Sequence, residues 1–190
     1  MKRPMQILLA SAITALALGG AAYAADEHAG HMAKGNSAAP MVHADVIGQD
    51  GKKIGMVMLH ETPAGVLVKA DVRGIPAGEH GFHFHQKGSC DTATKFESAG
   101  GHFTGGDRQH GYMVASGPHG GDMPNQFVGA DGVLKAQVMN TGVTLSAGPR
   151  SLLDADGSAL MIHAGADDYT SQPSGNAGGR IACAVIKAAK

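Results

Sequence analysis

The sequence predicts an all-β chain, an antiparallel sandwich or barrel, on three observations. Short segments alternate apolar and polar residues, Asp-Gly and Gly-rich turns separate them, and no stretch carries helical periodicity beyond a turn or two.

The elements follow in order. Met1-Lys2-Arg3 is a short basic start, Ile7 to Ala21 is almost wholly small and apolar, and Ala22-Tyr23-Ala24 fits a small-x-small cleavage site. Residues 1–24 are therefore expected to be a secretory signal peptide. The apolar run is short and glycine-interrupted, which disfavours the alternative of an uncleaved anchor. Residues 25–40, "ADEHAGHMAKGNSAAP", are polar and without period, and are expected to form a disordered leader. Its His28, His31 and Met32 could capture copper loosely, but two histidines and a thioether without a fold make a poor site. From Met41 to Lys190 a single domain is expected. Met41 to Val46 and Ile54 to Leu59 alternate around the turn "GQDGKK"; "GVLVKADVRG" puts Val66, Val68, Ala70 and Val72 on one face. Asp131-Gly132 and Asp156-Gly157 each introduce a further strand, and "GGRIACAVIKA" closes the chain.

Two regions break this rhythm. Residues 89–129 run with little alternation and are rich in Gly, His and Asp; residues 164–179 form a second such stretch. Long loops in a compact domain are functional or mark a wrong assignment. They also need something to hold them.

Composition excludes some classes. The chain carries 15 basic and 16 acidic residues, and loss of Lys2 and Arg3 with the signal peptide would move the net charge from −1 to −3. With no basic block and few aromatics, nucleic acid is not an expected partner, and no membrane association is expected once the signal is cleaved. The two cysteines, Cys90 and Cys183, in an exported chain suggest one disulfide; the alternative is two unrelated buried thiols.

The histidines carry the chemistry. In "GEHGFHFHQKGSC", Gly78 to Cys90, His83 and His85 stand two apart, so a strand sends both imidazoles to one face and Phe84 to the other. His80 falls on the opposite face from His83 and reads as a packed structural residue. His43 and His60, in early strands, are assigned no role. Inside the first long loop stand His102, His110, His119 and Asp122. Three histidines and a carboxylate would complete a closed tetrahedral zinc site, although four scattered loop residues are the alternative. His83, His85 and His163 would suit copper.

With these segments the chain resembles the exported bacterial copper/zinc superoxide dismutases. "GEHGFHFHQKGSC", "SAGGHFTGGDRQHG", "GPHGGDMPN", "LMIHAGADDY" and "GNAGGRIACAVI" occur in that family's order and spacing, over about Val42 to Ile186. The resemblance implies a Greek-key antiparallel β-sandwich or flattened barrel of about eight strands with two long functional loops. It implies one copper held by His83, His85, His102 and His163, and one zinc held by His102, His110, His119 and Asp122, in each subunit. His102 would bridge the metals and supply a proton in catalysis. Asp167 would hydrogen-bond His83 and His110, Arg180 would receive the superoxide anion, and Cys90 and Cys183 would be bonded. The implied reaction is dismutation of superoxide to dioxygen and hydrogen peroxide, in the periplasm.

The chain departs from the best-known animal members after His163, where Ala164 and Gly165 replace a charged pair. Steering of the anion would fall to Arg180 and a lysine from elsewhere, with Lys87 and Lys95 as candidates. A homodimer is possible, although no aromatic interface patch is evident and tryptophan is absent. The rival function is a periplasmic copper/zinc buffer on the same fold without catalysis. A buffer needs neither Arg180 nor a bridging His102.

Overall fold

A computed structural model describes residues 40–188; the expected signal segment and all but the last residue of the leader lie outside them. Eight strands form the fold: β1 (Met41–Gly48), β2 (Lys53–Thr62), β3 (Gly65–Arg73), β4 (Gly78–His85), β5 (Asp122–Val128), β6 (Val133–Asn140), β7 (Ser158–His163) and β8 (Arg180–Ile186). All pair antiparallel in one sheet of order β5-β4-β7-β8-β1-β2-β3-β6. The two end strands, β5 and β6, pack against each other without a ladder, so the sheet curls into a nearly closed barrel. The β3–β6 and β4–β7 pairings skip along the chain and make the Greek-key crossovers.

Period-two patterning decides what faces inward. Val42, Ala44 and Val46 on β1 and Val66, Val68, Ala70 and Val72 on β3 are buried in the main core. Phe82 and Phe84 join them from β4, fully buried. Truncating either to alanine would cost about 3–5 kcal/mol. On β7 every residue is buried: Leu160 and Ile162 enter the main core, while Ala159 and Met161 enter a second small cluster with Phe96, Ala99 and Cys183. That second cluster seats the long loop after β4 on the outside of the barrel.

One expectation needs correction. Residues 89–129 are not all loop, because β5 occupies Asp122–Val128 within them. Its residues do not alternate, Pro124 sits inside it, and its pairing with β4 shifts register between His80 and Phe82. An edge strand with a proline and a bulge has no period-two signature to find. The rest of that loop holds only two 3-10 turns, Thr92–Thr94 and Glu97–Ala99. Among the described residues no helix is long and apolar enough to cross a membrane.

Candidate metal centre

The centre grows from β4. Opposite Phe84, His83 and His85 point away from the core, yet both are buried because the long loops fold over them. The loops are stitched down by main-chain bonds. Phe103 N–H donates to Phe84 O at 2.8 Å, Gly121 N–H to Phe103 O at 2.7 Å, and Phe84 N–H to Gly121 O at 2.9 Å. His85 and His102 face each other in an isolated bridge, and His163 ends β7.

These placements make two clusters with one member in common. His83, His85, His102 and His163 form the first; His102, His110, His119 and Asp122 form the second; in each, the candidate ligand atoms lie within 4.8 Å of one another. All the sequence-predicted ligand positions are thus brought together. The donor set passes a direct test of fit to two metals. In four histidines, one ring nitrogen is engaged elsewhere. His83 Nε2–H donates to Asp167 Oδ2 at 2.8 Å and His110 Nε2–H to Asp167 Oδ1 at 3.0 Å. His85 Nδ1–H donates to Gly100 O at 2.9 Å and His163 Nδ1–H to Gly178 O at 3.3 Å. The opposite nitrogens turn toward the clusters, where His85 Nε2 and His163 Nε2 lie 3.4 Å apart. His83 Nδ1, His102 Nε2, His110 Nδ1 and His119 Nδ1 are buried with no hydrogen-bond partner. Orphaned buried nitrogens converging at two points are what metal ligation would satisfy. Four imidazoles suit copper, and three imidazoles with a carboxylate suit zinc.

The electrostatics separate the clusters. Burial, helped by the field of His83, lowers His163 to about 3, and burial lowers His102 to about 4 despite its 2.8 Å hydrogen bond to Asp122 Oδ1. Both are therefore neutral donors at pH 7. Burial opposes the charged form of His110, but Asp122 and Asp167 outweigh it and raise that ring to about 9. Burial likewise pushes the Asp122 carboxyl up, but the hydrogen bonds from His102 and the Gly111 N–H and the closeness of the His110 and His119 rings hold it far below the usual carboxylate range.

Two side-chain amides fix this frame, and sequence reasoning missed both. Asn125 clamps the main chain of Asp167: its Nδ2 donates to Asp167 O at 2.9 Å and its Oδ1 accepts from Asp167 N at 2.8 Å. Gln172 clamps His110 the same way, at 2.8 and 3.0 Å. Only the position of Asn125 inside "GPHGGDMPN" hinted at a role. Gly175 packs so closely that a Cβ there would run into Asp167 Oδ1 and His110 Nε2. His80 is buried with Nδ1 2.7 Å from His163 O and Nε2 2.8 Å from Pro76 O, so it ties the main chain of His163 to the turn before β4.

Arg180, the first residue of β8, lies outside both clusters and lines a cleft of about 480 Å³ with His85, His102 and His163. Its Nη1 donates to Phe96 O and its Nη2 to Gly100 O, each at 2.7 Å. Phe96 is fully buried at φ 67°, a left-handed conformation that a bulky residue adopts only under constraint. The constraint is at hand in the Cys90–Cys183 disulfide, with Cα atoms 5.7 Å apart, and in the packing of Phe96 beside Cys183. Glu97 also lines the cleft, its carboxylate 3.2 Å from Arg180 Nη2, and was not singled out from sequence. Lys87 and Lys95 are exposed, but neither lines this cleft.

Comparison with known proteins places these features. A family model described as copper/zinc superoxide dismutase matches residues 53–186. The chain is 47% identical over 147 residues to a protein named Cu-Zn superoxide dismutase 2 from Aquifex aeolicus (strain VF5), covering 76% of this chain and 85% of that one. It is 45% identical over 141 residues to the Cu-Zn superoxide dismutase of Caulobacter vibrioides, covering 73% and 80%. Among solved structures it resembles a superoxide dismutase-like protein from Bacillus subtilis, with TM-score 0.73 at 37% identity over 76% of this chain and 97% of that one. It also resembles the Cu/Zn superoxide dismutase of Brucella abortus, with TM-score 0.64 at 28% identity over 77% and 99%.

Proposed function

This chain belongs to the copper/zinc superoxide dismutase family, and from that membership we infer that it converts two superoxide anions and two protons into dioxygen and hydrogen peroxide. The observation that carries the reading is His102, a member of both clusters beside a cleft that also holds a guanidinium in neither. Bound copper would supply the one-electron chemistry, and bound zinc would supply a fixed positive charge at the shared histidine.

The chain's own residues do the rest. His83, His85, His102 and His163 hold copper; His102, His110, His119 and Asp122 hold zinc. Arg180 holds the anion in the cleft, where two carbonyl contacts fix the direction of its permanently charged guanidinium. His102 Nε2, the nitrogen facing the first cluster, would serve copper as a ligand and, only while it is not ligating, would take up a proton and pass it to the product, while Nδ1 stays beside Asp122. Asp167 orients His83 and His110 together.

The signal-like character of residues 1–24 and the Cys90–Cys183 bridge support export to the periplasm, an oxidising compartment. The buffer reading is not favoured, because storage gives no reason to fix Arg180 beside His102. The test is superoxide decay followed directly with protein holding one copper and one zinc per chain. With a chelator present to silence unbound copper, decay no faster than in protein-free solution would overturn the assignment.

A further inference from the structure

We propose that the outward face of β1 and β2 is a separate soft-metal site that takes copper(I) through Met41, His43, Met58 and His60. The β1–β2 register sets Met41 opposite His60 and His43 opposite Met58. The four alternate with the core residues Val42, Ala44, Val57 and Leu59, so all stand on the outer face. Side chains directly opposite in an antiparallel pair have Cβ atoms about 4.5–5.5 Å apart, and diagonal neighbours about 7–8 Å. Thioether sulfur and imidazole nitrogen both lie beyond Cβ on rotatable arms, so two sulfurs and two nitrogens can converge on one ion above the strands. The patch lies in the half of the sheet away from β4 and β7, and shares no residue with the metal centre.

Three features favour a soft monovalent ion. Methionine is ordinarily a core residue, yet Met41 is 54% and the neighbouring Met56 37% exposed on this face. His60 Nε2 is buried and has no hydrogen-bond partner, a cost that a bound ion would remove. The nearby carboxylates are already committed, Asp45 to Lys53 at 2.6 Å and Asp71 to Lys135 at 2.9 Å. What remains is thioether and imidazole, a set that selects copper(I) over magnesium, calcium and manganese, which prefer oxygen. Lys69, opposite Met58 from β3, borders the patch, and its long stem lets the charge swing clear.

The experiment uses the full chain with copper and zinc already bound. Copper(I) is added anaerobically as its acetonitrile complex in competition with a chromogenic chelator. About one further copper(I) per chain is expected, on the reading that the four donors serve one ion. The Met41→Leu/Met58→Leu double variant and His60→Gln should lose it while keeping the wild-type rate of superoxide decay. The leader variant His28→Ala/His31→Ala should retain it. In parallel, silver(I) added to wild type labelled at the methionine methyls should move the Met41 and Met58 resonances, which needs no variant to fold. Unchanged stoichiometry in the double variant, loss of the extra copper only in the leader variant, or static methyl resonances would each overturn the site.

Discussion

His163 and Arg180 stand opposite each other in the β7–β8 ladder, at the point where its register shifts after Ile162. One ladder position therefore sets the spacing between a copper-cluster imidazole and the guanidinium beside it. Replacing Arg180 with Ile should leave both metals in place and lower the rate about ten- to a hundred-fold, the worth of a charged hydrogen bond. Arg180→Lys should fall between, keeping the charge without the planar fork. Glu97→Gln should act in the opposite direction, because its carboxylate lies 3.2 Å from Nη2 and competes with the incoming anion. Rates across a salt series decide this: the slope should flatten in Arg180→Ile, and an unchanged slope with full activity would make Arg180 merely structural.

Because His102 belongs to both clusters, His102→Ala should lower copper and zinc content together. His163→Ala should deplete mainly copper, and His119→Ala mainly zinc. Metal analysis of the purified variants checks the pattern, and selective loss of one metal in His102→Ala would contradict the shared role.

The Cys90–Cys183 bridge spans 93 residues, for which chain entropy gives about 4–5 kcal/mol of stabilisation. The Cys90→Ser/Cys183→Ser variant should lose up to about that much in urea unfolding. It should also lose activity while still folded, because the Phe96 and Gly100 carbonyls that hold Arg180 belong to the tethered loop. Full activity in the folded double variant would show that packing of Phe96 alone holds the loop.

Protein stripped of both metals should be destabilised by acid from near neutrality downward. Burial lowers His85 well below the usual value and takes His102 and His163 to about 4 and about 3, whereas unfolded histidines titrate near ~6.5. Between those values the unfolded chain binds more protons, so stability falls with pH across that window. Asp122 and Asp167, both held low, continue the loss below about pH 4. His110, raised to about 9, works the other way: its contribution is complete below about 6.5 and disappears above 9. Three lowered rings outweigh one raised ring, so the melting temperature should be lower at pH 5 than at pH 7; an equal or higher value at pH 5 would contradict this.

Much of this was legible in the sequence because it is written locally. Phe84 between His83 and His85 announces a strand with a core side and a ligand side, and Val66 to Val72 announces another. The candidate ligands were singled out by residue type and motif, since an imidazole is legible wherever the chain carries it. What escaped notice lacks a periodic or chemical signature. β5 is an edge strand broken by Pro124. Asn125 and Gln172 are ordinary amides whose work appears only when Asp167 and His110 arrive from 42 and 62 residues away. Glu97 looks like any surface acid until the loop brings it against Arg180.

Asp167 receives one hydrogen bond from a histidine of each cluster, and His102 belongs to both. Occupation of either site therefore restricts groups that the other must order, so the two uptake events are thermodynamically linked. Linkage is reciprocal: whatever factor zinc adds to the affinity for copper, copper adds to the affinity for zinc. The affinity of the doubly loaded molecule for each ion therefore differs from that of the singly loaded forms by one shared factor, and that coupling runs through a single carboxylate and a single ring.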